Sequence, residues 1–262
     1  MTDRRLEDLA ELYWITGLPG SGKGRFGSFL RKEYGLNEAF GKLSVAKSKP
    51  SFVIDRGEEG FLERLDASEE TFCRVLCVVD ARSAPPEANS WAAERLNSLL
   101  PFSDAMVLAF ADEVSLLEQN RWTNRVMDQY PGLKLFRWGR HTLDFPQFSS
   151  SPQTLQSKKC FWNSVQIQTF RFDLGKVVLD HLMMVLDNAR RSLGMQILRA
   201  KGVFDTLEYD NLVAVEAGVE RIDIYAAESQ DFNQPALGML CLQGVDFDPA
   251  WLESMLHACR TG

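Results

Sequence analysis

Histidine is scarce in this chain, and cysteine never falls at metal-ligand spacing. The three histidines, His141, His181 and His257, have no second His or Cys at ligand spacing, so each reads as a surface or packing residue. The five cysteines, Cys73, Cys77, Cys160, Cys241 and Cys259, are odd in number and scattered, which excludes a disulfide framework. Cys73 and Cys77 lie in the apolar run Phe72–Val79, where strand alternation puts both on one face, too far apart for a tight metal pair. They read as core cysteines. Positive charge is also in deficit. A formal net charge of −7 and a pI near 5.1 argue against a nucleic-acid backbone or an anionic membrane as the main partner. No apolar run is long enough to span a bilayer, and the acidic start Met1–Asp8 lacks the apolar core of a secretory leader, so the expected compartment is the cytoplasm. Internal repeats and low-complexity tracts are absent as well.

What remains is a globular composition, with 45% apolar and 25% charged residues over a length that suits one or two domains. The first half alternates short apolar runs with helix-like segments. Strands are expected at Leu12–Thr16, Phe52–Asp55, Val75–Val79, Met106–Phe110 and Lys134–Arg137. Helices are expected at about Lys23–Tyr34, Ala88–Leu100 and Leu116–Tyr130. Continuous apolar strands separated by helices predict an α/β fold, a parallel sheet with helices on both faces. Phe148–Gln153, small, polar and proline-bearing, is the best linker. Beyond it the pattern changes to strands at Val165–Phe172, Gly202–Thr206, Leu212–Val219, Arg221–Ala227 and Leu237–Leu242. A helix at Lys176–Leu193 and a last one started by Asp248-Pro249 complete a smaller α+β domain with a mostly antiparallel sheet. The implied boundaries are 1–148, a linker at 149–158, and 159–262.

The stretch Tyr13–Gly24 carries the chemistry. Gly17-Leu18-Pro19-Gly20-Ser21-Gly22-Lys23 follows a strand and precedes a helix, the pattern Gly-x-x-x-x-Gly-Lys of a phosphate-cradling loop. Glycines let backbone N–H groups turn toward phosphate oxygens, the helix start adds its positive dipole end, and the lysine reaches the outer phosphates. The expected contacts are Lys23 as cation and Gly17, Gly20, Ser21, Gly22 and Gly24 along the loop. The position after the lysine ordinarily carries a Ser or Thr whose hydroxyl holds Mg²⁺, and here it is Gly24. The bland alternative is a Gly-rich turn that binds nothing.

The C-terminal half resembles the C-terminal domain of CobW-type proteins in the CobW/HypB/UreG group of P-loop GTPases. The resemblance rests on Ser164–Phe170, the helix after it, Ile197-Leu198-Arg199-Ala200-Lys201-Gly202-Val203, the strand Ala236–Leu240 and the helix Trp251–Cys259. The N-terminal half resembles a shortened version of the GTPase domain in the loop Gly17–Lys23, in Val78-Val79-Asp80-Ala81, and in Ser103–Leu108 leading toward the guanine motif Asn-Lys-x-Asp. That motif reads Ala109-Phe110-Ala111-Asp112, so only the aspartate remains. The resemblance implies that Asp112 accepts protons from guanine, and that GTP or another nucleoside triphosphate binds with Mg²⁺. It implies that Asp55 or Asp80 stands near that metal, although either is equally readable as a helix cap or a solvated turn. Zn²⁺, and metal or cofactor handling with a client metalloprotein as partner, follow from the resemblance alone. The Cys-x-Cys-Cys metal motif of the family is absent.

Three functions compete on these residues. One is a CobW-like GTP-binding protein and GTPase of the metallochaperone kind. Another is a non-hydrolysing nucleotide-binding or structural partner. The last is an adenylate-kinase-like small kinase, ranked lowest because Arg25 stands where such kinases have Thr and no arginine-rich lid follows. Arg199 and Lys201 read as an interface or salt-bridge pair. Trp122, Trp138 and Trp162 are expected to pack the two domains together or to form a partner surface.

Overall fold

A computed structural model of the chain describes residues 12–38, 51–55, 72–139, 153–154, 167–219, 221–227 and 236–261. The chain divides into two compact units, Met1–Val165 and Gln166–Gly262.

The N-terminal unit contains β1 (Leu12–Gly17), α1 (Lys23–Tyr34), β2 (Asn37–Glu38), β3 (Ser51–Ile54), β4 (Phe72–Asp80), α2 (Trp91–Leu99), β5 (Ala105–Ala109), α3 (Leu116–Gln129), β6 (Lys134–Trp138) and β7 (Gln153–Thr154). The sheet runs in the order β2-β3-β1-β4-β5-β6 with every neighbouring pair parallel. Every residue of β1 is buried, because both faces of the strand are covered. Tyr13 and Ile15 join a core with Phe26 and Leu30 of α1. On the opposite face Trp14 packs on Phe102, just past α2, with ring centroids 6.2 Å apart. Helices therefore lie on both sides of the parallel sheet, as the alternation of apolar runs predicts. β4 begins before the first residue paired with β5, and β7 pairs antiparallel with Phe72 and Cys73 at that end. The short strand thereby takes up backbone groups that would otherwise form an open edge. It lies inside the polar stretch read as a linker.

Local chemistry sets the helix ends. The Ser90 hydroxyl accepts from the Ala93 amide to start α2. Ser115 and Glu118 cap α3 reciprocally, side chain to backbone in both directions. Trp122 is buried in α3 and donates its indole N–H to the Ser83 carbonyl at 2.8 Å. Trp138 packs on Phe26 and Phe29, with centroids 5.4 and 5.5 Å away. Both tryptophans therefore serve the core of their own unit, and Trp162 lies outside the described residues.

The C-terminal unit contains β8 (Gln168–Asp173), α4 (Leu179–Arg191), β9 (Gln196–Phe204), β10 (Val213–Ala217), β11 (Ile222–Ala226), β12 (Met239–Val245) and α5 (Pro249–His257). Its sheet is antiparallel in the order β11-β10-β9-β12-β8. Leu182, Leu186 and Ala189 of α4 and Leu252 and Leu256 of α5 share one core with Ile197, Ala200, Val215, Leu240 and Leu242 of the sheet. Asp248 caps α5 by accepting from the Trp251 amide, with Pro249 at the first turn. β9 starts six residues earlier than the sequence pattern suggests. Arg199 and Lys201 are therefore strand residues, and Lys201 lies across from Glu216 on one side and Cys241 on the other. Among the described residues no helix is long and apolar enough to cross a membrane.

Candidate functional site

The loop between β1 and α1 is shaped by close approach. Gly17 pairs with Val78 of β4, and a Cβ at Gly17 would stand 2.1 Å from the Val78 carbonyl oxygen. Only glycine lets β1 end there. Gly22 forms the cap of α1 at φ 90°, and a Cβ on it would meet the Phe110 ring edge at 2.8 Å. Between them Ser21 N–H donates to Leu18 O at 3.3 Å and closes a tight turn. Gly22 contributes no side-chain cap, so the first amides of α1 have no side-chain acceptor from the cap residue. The positive end of the helix dipole is thereby turned toward the loop.

Two side chains give this cradle its chemistry. Ser21 is 4% exposed, and its hydroxyl has no hydrogen-bond partner among the described residues. That hydroxyl stands 3.1 Å from the Cβ position of Gly17, inside the curl of the loop. A buried polar group left unmatched costs about 1–3 kcal/mol, a cost that an oxyanion at the loop would remove. Lys23 is 8% exposed and donates from Nζ to the carbonyls of Gly17 at 2.6 Å and Leu18 at 2.8 Å. The ammonium is held against the mouth of the loop by main-chain oxygens.

Beneath the loop lies a buried ionic group. The Thr16 hydroxyl donates to Asp55 Oδ2 at 2.9 Å, and Arg95 Nη2 of α2 stands 3.9 Å from the same oxygen. Asp55 is 2% exposed, and its amide donates to Ile15 O at 2.8 Å. Burial lowers the pKa of Arg95, with Asp55 and Cys77 pulling it back up. Burial also pushes the Cys77 thiol up to about 12, against the opposing pull of Lys23 and Arg95. Cys77 is accordingly a neutral core thiol.

Asp80, at the end of β4, is engaged by Arg82. Arg82 donates Nε to Asp80 Oδ1 at 3.0 Å, Nη2 to Oδ2 at 2.8 Å, and its backbone N–H to Oδ1 at 2.9 Å. Its Nη1 also reaches Glu113 at 3.2 Å. The same guanidinium lies 3.6 Å over the centre of the Phe110 ring, and Arg25 of α1 stands 5.3 Å from it. Phe110 leaves β5 in the left-handed region at φ 58°, which swings its ring under these cations and against Gly22. Asp112 sits one turn further on, with Oδ1 2.2 Å from the Cβ position of Gly139. Any larger residue at 139 would displace that carboxylate.

The structure thus gathers Gly17, Gly20, Ser21, Gly22 and Lys23 in one loop, with Gly24 in the first turn of α1. Asp55 lies beneath the loop, Asp80 beside it on the neighbouring strand, and Asp112 beyond Phe110. Sequence reading missed Thr16, Arg82 and Arg95. Arg95 does carry a signal, since it falls with Ala92, Leu96 and Leu99 on the buried stripe of α2. A charge on such a stripe calls for a buried partner. Arg82, two residues past Asp80, has no comparable pattern.

Residues 167–260 match the family model described as the cobalamin synthesis protein cobW C-terminal domain. The match is confined to the C-terminal unit. No curated protein matches the chain in sequence. Among solved structures the chain is similar to Zn(II)-bound YjiA GTPase from E. coli, at 14% identity and TM-score 0.33, covering 96% of this chain and 99% of that one. A Zn(II)-bound triple mutant of YjiA GTPase gives 14% identity, TM-score 0.34, and coverage of 97% and 100%. A bacterial selenocysteine-specific elongation factor, EF-Sec, gives 11% identity, TM-score 0.32, and coverage of 92% and 43%. All three likenesses are distant.

Proposed function

We propose that the N-terminal unit binds the phosphates of a nucleoside di- or triphosphate in the loop Gly17–Gly24, and that the chain is a CobW-type nucleotide-binding protein. The observation that carries this reading is the orphaned, buried Ser21 hydroxyl beside the Lys23 ammonium at the start of α1. A phosphate entering the loop supplies the acceptor that Ser21 lacks. It takes over Lys23 from the Gly17 and Leu18 carbonyls and receives the first amides of α1. The CobW-type sequence of the C-terminal unit and the order of motifs in the N-terminal unit support GTP as the nucleotide, with Asp112 as the carboxylate for the base.

The residues present do not fit Mg²⁺. Gly24 offers no hydroxyl, both Asp80 oxygens are in the Arg82 fork, and Asp55 is buried against Arg95. Mg²⁺ binds through oxygen ligands with several waters kept around it, and here each candidate carboxylate is already paired with an arginine. For Zn²⁺, no group of three or more His, Cys, Asp or Glu close enough to share a metal occurs among the described residues. Phosphoryl transfer depends on charge neutralisation and a positioned water, so the same observations favour a protein that holds its nucleotide with little or no turnover. Delivery of metal to a client protein, the role the family resemblance suggests, would then use nucleotide binding as its signal.

The test is a titration of fluorescent GTP, GDP and ATP on the wild type and Lys23→Ala, with phosphate release measured in parallel. Binding that survives Lys23→Ala unchanged would sink the reading. Transfer of phosphate to a nucleoside monophosphate would favour the kinase instead.

A further inference from the structure

We propose that the loop takes its nucleotide without Mg²⁺, because Arg82 holds the carboxylate a metal would need; this rests on the phosphate-binding reading above. The geometry ties Asp80 to the loop. Asp80 pairs with Ala109 across the sheet, and the Ala109 methyl lies 3.4 Å from the Cβ position of Gly22. Asp80 therefore lies at the end of β4 that borders the loop. Its oxygens receive three N–H donors from Arg82 at 2.8–3.0 Å, in the side-on fork that makes Arg–carboxylate pairs strong and directional. Phe110 fixes the guanidinium from below at 3.6 Å, and Glu113 takes a remaining donor. A cation coordinating Asp80 directly would compete with the Arg82 guanidinium for the same carboxylate charge.

The other metal contacts are missing for separate reasons. Gly24 lies in open space, with nothing within 4 Å of its Cβ position, so there is room for a hydroxyl-bearing residue that the sequence does not provide. Asp55 already accepts from Thr16 and is neutralised by Arg95 on the buried side of the sheet. Positive charge for the phosphates comes instead from Lys23 and from the exposed Arg25, which has no carboxylate partner among the described residues. The ligand class is thus a metal-free nucleoside di- or triphosphate.

Titration of the full chain with fluorescent GDP and GTP, in EDTA and in excess Mg²⁺, tests this directly. The expected Kd differs by less than about threefold between the two conditions. Binding weakened more than about tenfold by EDTA, while Lys23→Ala still abolishes binding in Mg²⁺, would overturn the inference and leave the phosphate loop standing. Absence of binding in both conditions, or binding indifferent to Lys23→Ala, is the separate failure of the phosphate-loop reading. The double variant Arg82→Ala/Gly24→Ser frees Asp80 and adds the missing hydroxyl. Its GTP affinity is expected to rise about tenfold or more on adding Mg²⁺. No rise would overturn the assignment of Arg82 as the group that keeps the metal out.

Discussion

Arg95 and Asp55 face each other under the loop with little water at either. Arg95 is 7% and Asp55 2% exposed, so each is costly to bury alone. Replacing Arg95 by Met removes the buried cation beside the Asp55 carboxylate, and the expected loss is on the order of 3 kcal/mol in a urea titration. A loss under about 0.5 kcal/mol would mean that the pair contributes no more than a surface one. Cys77 gives a second residue-level test. Its raised pKa keeps the thiol neutral in the folded chain, so its contribution to stability is complete below the unfolded thiol pKa. It declines as pH rises from there toward about 12. Native protein treated with iodoacetamide at pH 8 should leave Cys77 unmodified by peptide mass mapping, and brief unfolding should expose it. Rapid native alkylation would contradict its burial. At this scale the sequence showed the loop glycines and Lys23 plainly, since spacing alone defines them. Arg82 and Thr16 were hidden because their roles depend on which strands become neighbours; Thr16 meets a partner 39 residues away.

Among the elements, α3 has the most explicit local code. Ser115 donates its hydroxyl and its backbone N–H to Glu118 Oε2, each at 2.8 Å, and these two donors hold the Glu118 carboxyl below its usual range, while the Glu118 amide donates back to Ser115 Oγ at 3.3 Å. A depressed folded pKa stabilises above the ordinary glutamate value and fades as pH falls through the folded one. Ser115→Ala should cost about 1 kcal/mol near neutral pH, with the difference from wild type shrinking in acid. An equal difference at pH 7 and pH 3 would show that the box does not depend on the Glu118 charge. Strands β1, β4 and β5 were legible because burial on both faces writes them as unbroken apolar runs. β2 and β7 were not, since two residues carry no period. The early start of β9 was missed because Arg199 and Lys201 break the apolar run ahead of Gly202. Gly194, at φ 68°, turns the chain there and lets the strand begin at Gln196.

At the scale of the molecule, two units carry two kinds of information. The C-terminal unit carries the match to the cobW C-terminal domain model, confined to residues 167–260. The N-terminal unit carries the glycine-rich loop, with Lys23 held by the Gly17 and Leu18 carbonyls and the Ser21 hydroxyl buried. A ligand that binds only the folded state stabilises it by RT ln(1 + [L]/Kd), about 2.7 kcal/mol at a hundredfold excess over Kd. The measurement that bears most directly on the account is therefore GDP and GTP binding to wild type and Lys23→Ala, followed by nucleotide fluorescence and by the melting temperature. The account predicts saturable binding and a raised Tm for wild type, and a loss of affinity of about tenfold or more with no nucleotide-induced rise in Tm for Lys23→Ala. Equal affinity and an equal rise in Tm for both proteins would contradict it.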